Sequence, residues 1–450
     1  SFFDGETFSV IEKTTKATKV KDIAIEFLLY GTLAEIWARK TGFNRGLGGS
    51  MHAFFTPFGI FPNNAIVGGS ADIATGAALF KRVNRKDGIV VCNIGDGSIG
   101  CGPVYEAMNF AAMDQFRLLW DEEHKGGLPI IFNIFNNFYG MGGQTCGETM
   151  AFSEVARLGA GIAPNQMHAE RIDGFNPLAV IDAYRRKRRI IENDEGPVLL
   201  DVLTYRFSGH SSSDAMAYRT KEEVDMWKEI DSIAVFRKQL LDAGVATEAE
   251  LDAIEKYVKD NVLNAVKLVT DDTLSPRMDL DKNPRAIADL MFSNGHVKSM
   301  DTNRKPEVLQ PKEENSRVQQ IAKKARFTFD ENGKPVPKNK VYQLRDAIFE
   351  AIIDKYYEDP TLISYGEDVR EWGGAFAVYR GLSDCIPYHR LFNAPISEAA
   401  IVGTGVGYAM AGGRVIVELM YADFLGRAGD EVFNQLSKWQ SMSAGVLKMP

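Results

Sequence analysis

The sequence predicts an α/β protein of two unequal units, each a parallel sheet flanked by helices, and three observations carry that expectation. From Asp22 to about Gly295, short β-branched runs alternate with longer amphipathic segments. A polar stretch rich in Lys, Glu, Asn, Gln and Pro then interrupts the pattern, with Glu331-Asn332-Gly333-Lys334-Pro335 as a turn signal. From Tyr342 the alternation resumes. The boundaries that follow are a first unit over 1–296, a linker over 297–340 and a second unit over 341–450.

In chain order, 88–94 is a continuous apolar run that predicts a strand buried on both faces. Pro103 stands where a first helical residue belongs, and Val104, Ala107, Met108, Ala111 and Leu118 follow at helical spacing, which predicts about four turns of helix. Residues 128–135 form a second buried strand. The basic run Arg185-Arg186-Lys187-Arg188-Arg189 falls in a helical stretch and is expected to be a solvated face. In the second unit, a helix is expected near 343–355, a strand at 362–365, a glycine-rich segment at 403–413 and a strand at 415–419.

Composition removes several classes of function. Hydrophobic residues make up 45% and charged residues 25% of the 450, ordinary globular usage. The 52 Lys and Arg against 60 Asp and Glu leave a formal charge of −8, with no basic excess to attract nucleic acid. Cys92, Cys101, Cys146 and Cys385 form no CxxC pair and no zinc spacing, which suits a reducing compartment. No apolar run has the length of a membrane span and no signal peptide opens the chain, so the expected location is cytoplasmic. The chain lacks an initiating Met and stops after an apolar stretch, so a piece of a longer protein is expected.

Chemistry concentrates where strands end. Ile94-Gly95-Asp96-Gly97-Ser98 lies at the carboxyl end of the first strand, the edge where open α/β sheets gather ligands. Asn136-Asn137-Phe138-Tyr139-Gly140 lies at the end of the second. Taken singly, Gly-Asp-Gly is a tight turn and Asn-Asn a loop. Taken together, they offer a carboxylate, an amide oxygen and backbone carbonyls at one sheet edge, the oxygen ligands that Mg²⁺ takes beside a diphosphate.

At these residues the sequence resembles the thiamine diphosphate enzymes, whose signature is Gly-Asp-Gly followed by Asn-Asn. Gly48-Gly49-Ser50-Met51-His52, Phe207-Ser208-Gly209-His210-Ser211-Ser212-Ser213-Asp214 and Tyr218-Arg219-Thr220-Lys221-Glu222-Glu223 are similar to the alpha subunit of the 2-oxo acid dehydrogenases. Gly366-Glu367-Asp368-Val369, Gly373-Gly374-Ala375-Phe376 and Pro395-Ile396-Ser397-Glu398-Ala399 are similar to the beta subunit. The resemblance implies a thiamine diphosphate-binding fold with alpha and beta regions fused in one chain. It further implies oxidative decarboxylation of a 2-oxo acid, pyruvate or branched-chain, with acyl transfer to a lipoyl-bearing dihydrolipoamide acyltransferase, and a homodimer of the fused chain. An acetoin dehydrogenase component and a non-catalytic assembly protein of the same fold are the alternatives.

The resemblance also assigns roles. Asp96, the Asn137 side chain and the Tyr139 carbonyl would hold Mg²⁺, and Gly95, Asp96, Gly97, Ser98, Asn137, Tyr139 and Gly140 would line the diphosphate. Glu398 would face the aminopyrimidine, whose imino tautomer a carboxyl group on the ring nitrogen favours. Ile396, Met420 and Phe424 would wall the pyrimidine, and His52 and His210 would handle protons at the mouth of the cleft. Ser211 falls where mitochondrial relatives are phosphorylated and is expected here to be a structural loop serine. The Asp96–Asn137 spacing exceeds the family pattern by a surplus placed at 115–127, so the metal assignment requires that the two strand ends still converge. The family's N-terminal Tyr-Arg pair has no counterpart before Thr41, and the beta region stops short of its own histidine and C-terminal domain.

Overall fold

A computed structural model describes residues 5–151, 153–291, 303–324, 326–337, 341–447 and 449. The first unit carries helices α1 (Val20–Ile36), α2 (Ser70–Val83), α3 (Gly102–Ala111), α4 (Pro177–Glu192) and α5 (Glu248–Thr270), with strands β1 (Val90–Gly95), β2 (Ile130–Asn136), β3 (Glu170–Asp173) and β4 (Val198–Leu203). Its sheet has the order β1-β2-β4-β3, and every pairing is parallel. The second unit adds α6 (Ser316–Ala322), α7 (Leu344–Glu358) and α8 (Glu398–Met410) around β5 (Leu362–Gly366), β6 (Leu391–Asn393) and β7 (Arg414–Val417), a parallel sheet in the order β6-β5-β7.

β2 and β4 lie inside the first sheet and are buried almost throughout. β1 differs from its expected burial on both faces: it is an edge strand whose Cys92 and Ile94 face the core while Val91 is exposed. An apolar run does not say whether a neighbour covers its second face. α3 also departs from the expected four turns. It ends at Ala111, and a separate short helix, Gln115–Leu118, follows. The break turns Phe116 inward, where it packs edge-on against Trp120 at 4.9 Å, and sends Leu118 out to solvent.

The polar stretch expected as a linker is folded over its described residues. Asn315 caps α6, its Oδ1 accepting from the backbone N–H groups of Arg317 at 3.0 Å and Val318 at 3.2 Å. Ile321 on that helix is buried in one cluster with Phe349, Ile352 and Tyr356 of α7. Thr328–Phe329 and Pro335–Val336 pair antiparallel around the Asn332-Gly333 turn. The basic run in α4 divides too. Arg188 is solvated and pairs with Glu192 at 2.6 Å, whereas Lys187 is buried and donates to the His168 carbonyl at 2.6 Å.

The two units share one core. Ala71, Leu79, Phe110 and Phe132 of the first unit pack in a single buried cluster with Tyr365, Phe392, Ala400 and Tyr408 of the second. At its centre α2 and α8 cross so closely that a Cβ on Gly76 would lie 2.0 Å from the Thr404 carbonyl oxygen, and one on Gly407 would lie 2.0 Å from that of Ile73. Only hydrogen fits at either position.

Gly76→Ala is therefore expected to force the crossing apart and destabilise the chain by about 1–3 kcal/mol, the ordinary cost of overpacking. Gly161→Ala, where a Cβ meets nothing within 4 Å, serves as the control. Urea midpoints that fall equally for both variants would refute the backbone-distance crossing.

Candidate functional site

Parallel pairing of β1 with β2 sets Gly95 opposite Phe135, so the loops that leave the two strands emerge side by side. Asp96 begins a tight turn, Asp96–Gly100, directly after β1. Its carboxylate is fully buried: Oδ1 accepts from the Asn137 backbone N–H at 3.4 Å, and Oδ2 accepts from the Thr145 hydroxyl at 2.5 Å. Asn137 Oδ1 in turn accepts from the Tyr139 N–H at 3.0 Å. A Cβ on Gly97 would lie 2.9 Å from the Gly140 Cα, so the two loop tips touch. The surplus residues between them do not separate the strand ends.

The electrostatics of this corner point one way. Burial pushes the Asp96 carboxyl up, against the lowering effect of the Thr145 hydroxyl and of the backbone N–H groups, chiefly that of Asn137. All its hydrogen-bond donors are neutral, and a cation beside it would offset the burial. The Asp96 carboxylate, the Asn137 amide and the Tyr139 backbone lie on these touching loops, and carboxylate, amide and carbonyl oxygens are the donor types that Mg²⁺ takes. Gly95 and Gly97 remain exposed, and Ser98 and Gly140 are half-buried, so backbone is open beside those groups.

The loop after β4 closes over the Asn137 loop. Arg206 donates to the carbonyls of Gly140 at 3.3 Å and Met141 at 2.8 Å, and to the Tyr218 hydroxyl at 2.9 Å. Arg219 donates to the carbonyls of Arg206 and Ser208, and its guanidinium lies 5.2 Å from the Tyr205 ring centre and 5.6 Å from that of Tyr139. Glu223 accepts from the hydroxyls of both Tyr139 and Tyr205 at 2.9 Å. His210 stands exposed on this loop, its Nδ1 3.5 Å from an Arg206 nitrogen. Its backbone N–H bonds Asp214, whose carboxyl is drawn down to about 2 by the Tyr218 hydroxyl and then by the N–H groups of His210 and Met216.

His52 is placed by a different device. The side chain of Glu35, buried at the end of α1, accepts from four backbone N–H groups, those of Asn44, Gly46, Gly48 and Gly49, at 2.8–3.1 Å. The loop so gathered presents His52, whose Nδ1 lies 3.0 Å from the Asn63 carbonyl and whose ring meets Trp439 edge-on at 5.2 Å. Glu35, Thr145 and Arg206 were not singled out by sequence, where an isolated Glu, Thr or Arg carries no signal of the loop it will hold.

In the second unit Glu398 opens α8 and is half-buried. Burial raises the carboxyl of Glu367, with Glu398, Asp368 and Glu418 adding to the rise, so Glu398 belongs to a group of mutually repelling acids. The apolar wall expected beside it stands open in the single chain: Ile396 is 80% and Phe424 45% exposed, and Met420 is half-buried. Among the described residues, no hydrogen bond or ion pair joins Glu398, Ile396, Met420 or Phe424 to Asp96, Asn137 or Tyr139. Asp96, Asn137 and Tyr139 lie on the first unit and Glu398, Ile396, Met420 and Phe424 on the second.

Between them lies an acidic seam that sequence reasoning missed, its members being far apart in the chain. Asp72 on α2 is fully buried, and its carboxyl is raised well above the usual range by burial and then by Glu431, Glu106 and Asp430. Glu106 on α3 accepts from the Ala400 N–H of α8 at 3.1 Å, which links the two units beside the crossing. Burial pushes Glu431 to about 7, with Asp430 and Glu106 adding to the rise.

The folded chain thus holds a proton on Glu431 between pH 4.5 and about 7 that the unfolded chain releases. Stability from this group is complete below the unfolded value and is lost as pH rises through the folded one. Glu431→Gln should flatten that decline, so its urea midpoint, taken relative to the parent chain, rises between pH 5 and pH 8. A midpoint difference that does not change with pH would contradict this assignment.

Comparison with known proteins identifies two matching family models. Residues 18–277 match the family model described as dehydrogenase E1 component, and residues 340–450 match the one described as transketolase, pyrimidine binding domain. The chain is similar to the pyruvate dehydrogenase E1 component subunit alpha of Rickettsia conorii, with 37% identity over 235 residues, covering 52% of this chain and 67% of that protein. It is similar to the same subunit of Rickettsia bellii, with 34% identity over 261 residues, 57% of this chain and 75% of that one. It also resembles that of Rhizobium meliloti, with 34% identity over 243 residues, 54% and 65% respectively.

Proposed function

The chain belongs to the dehydrogenase E1 component family, whose cofactors are thiamine diphosphate and Mg²⁺, and from that membership we propose that it oxidatively decarboxylates pyruvate and passes the acyl group to a lipoyl-bearing dihydrolipoamide acyltransferase. One observation supports the reading: the Asp96 and Asn137 loop tips, distant in sequence, touch, with the Asn137 N–H on the Asp96 carboxylate at 3.4 Å and a Cβ on Gly97 meeting the Gly140 Cα at 2.9 Å. The relatives named above are pyruvate dehydrogenase subunits, which supports pyruvate over its branched-chain counterparts.

Asp96, the Asn137 amide oxygen and the Tyr139 carbonyl would hold Mg²⁺, and the open backbone of Gly95–Ser98 and Gly140 would receive the diphosphate. Thiamine diphosphate, when bound, supplies the electron sink that carbon–carbon cleavage needs. The Glu398 carboxyl would bind the pyrimidine ring nitrogen and hold a proton there, and Ile396, Met420 and Phe424 would exclude water from that ring. His52 and His210, both solvent-accessible imidazoles, would orient incoming groups and move protons near neutral pH. The exposure of Ile396 and Phe424 in the single chain supports a homodimer as the assembly that would enclose the cofactor.

With thiamine diphosphate and Mg²⁺ added, pyruvate should reduce an artificial electron acceptor at least about tenfold faster than branched-chain 2-oxo acids or acetoin, a ratio within reach of pocket size alone. The opposite order would remove pyruvate as the substrate, and no turnover with any of them would favour a non-catalytic assembly protein. Glu398→Gln should lower dye reduction by about 10²–10⁴-fold and leave Mg²⁺-dependent cofactor binding within a few-fold of the parent. Full activity in that variant would take Glu398 out of the proton pathway.

A further inference from the structure

The surplus segment that follows α3 brings Asp121 and His124 to the seam between the units. There they meet His389, from the turn before β6, and Glu307, from the polar stretch. Both imidazoles are buried, 3% and 1% exposed, and they stack with ring centres 3.6 Å apart and planes 10° from parallel. One carboxylate holds the same edge of both rings: Asp121 Oδ1 lies 2.7 Å from His124 Nδ1, and Asp121 Oδ2 lies 2.9 Å from His389 Nδ1. The Nε2 atoms on the opposite edge face one oxygen, Glu307 Oε2, at 2.8 Å from His389 and 3.5 Å from His124. Arg304, with both Glu307 oxygens at 3.3 Å, holds that carboxylate in place.

His124 Nε2 is the informative atom. It is buried and has no hydrogen-bond partner among the described residues, although a carboxylate oxygen stands before it. With Nδ1–H committed to Asp121, Nε2 presents a lone pair to another lone pair in a dry site, an arrangement that costs free energy unless a cation lies between them.

We propose that His124 Nε2, His389 Nε2 and the Glu307 carboxylate form a binding site for a divalent transition metal of the Zn²⁺ class, with Asp121 fixing both imidazoles from behind. Ligands at about 2.0–2.1 Å around a tetrahedral Zn²⁺ lie roughly 3.3 Å from one another, and the observed 2.8 and 3.5 Å separations bracket that edge. Two imidazoles with one carboxylate select a borderline metal over Mg²⁺ or Ca²⁺. A carboxylate on the far nitrogen of each ligating histidine is the usual outer support of such a site, orienting the ring and raising its basicity. The stacked planes open by rotation about Cβ–Cγ as the metal enters, which Asp121 permits because it reaches each ring through a different oxygen. Since Glu307 and His389 belong to one side of the seam and Asp121 and His124 to the other, the metal ties the units together at a distance from the thiamine diphosphate corner.

The test uses the whole chain, stripped of metal by a chelator and then saturated with thiamine diphosphate and Mg²⁺ so that the Asp96 corner is filled. Added Zn²⁺ should remain bound at one equivalent per chain through gel filtration, and Co²⁺ in its place should give visible d–d absorption. Glu307→Gln and His124→Gln should each lose the retained equivalent. Asp121→Asn should weaken binding about 10–100-fold, and His168→Gln, an imidazole outside the cluster, should leave it unchanged. A parent chain that retains no Zn²⁺ overturns the proposal whatever the variants do, and so does retention undiminished in both ligand variants.

Discussion

The crossing of α2 and α8 fixes the relation of the two sheets, and it does so through backbone rather than side chains. With Gly76 against Thr404 and Gly407 against Ile73, neither helix can slide or rotate without driving a carbonyl into a Cα, so the contact defines both distance and register. α2 leads into β1 and α8 leads into β7, so the loop that bears Asp96 and the carboxylate of Glu398 inherit their places from one contact. Side-chain hydrogen bonds reinforce it nearby: the Tyr408 hydroxyl donates to the Thr361 carbonyl at 2.7 Å and accepts from Asn84 at 3.1 Å, and the Tyr365 hydroxyl donates to the Ile401 carbonyl at 2.9 Å.

That close approach has an electrostatic consequence. Helices at backbone distance leave no room for water, so Asp72 and Glu431, which flank the crossing, are held where charge is penalised and protons are retained. Two other buried carboxylates have donors to match. Glu35 takes four backbone N–H groups, and Asp201 pairs with Arg171 at 2.7 Å while accepting from Asn136. Asp72 differs, with neither oxygen hydrogen-bonded among the described residues. The same fold thus holds buried acids in two states, matched by donors at Glu35 and Asp201 or without them at Asp72, and Asp72 lies on the seam between the two units.

Legibility in the sequence followed how local each signal was. The strand ends bearing Asp96 and Asn137 were readable because a buried apolar run followed by a glycine-bearing turn is complete within a dozen residues, and parallel pairing then supplies the convergence. The inward turn of Phe116 was not, because helical spacing carried the pattern straight through a break that only tertiary packing against Trp120 and Phe392 imposes. Nor was the folded state of the polar stretch, in which a few residues, Asn315 and Ile321 among them, do the anchoring while the composition is set by the many that face water. Glu35 and Arg206 escaped for a related reason: each organises backbone groups of a loop, and backbone groups leave no trace in residue identity.

The residues after α3, expected to be surplus to the family spacing, are accommodated without separating the ends of β1 and β2. Their anchors point away from the Asp96 corner and into the shared core: Trp120 packs on Phe392 at 5.6 Å, and the Gln115 side chain donates to the Asn393 carbonyl at 2.6 Å. Arg117 and Arg82 tie the same segment to the carbonyls of Gly196 and Gly127, which hold the entry to β2. The added length is therefore spent on contacts with β6 and with the start of β2, while the carboxyl end of β2, some seven residues further on, keeps the register with β1 that its hydrogen bonds dictate. Length taken up at the amino end of a parallel strand leaves its carboxyl end in place, and here it gives the molecule a second seam, between Asp121, His124, Glu307 and His389, that the crossing helices alone would not provide.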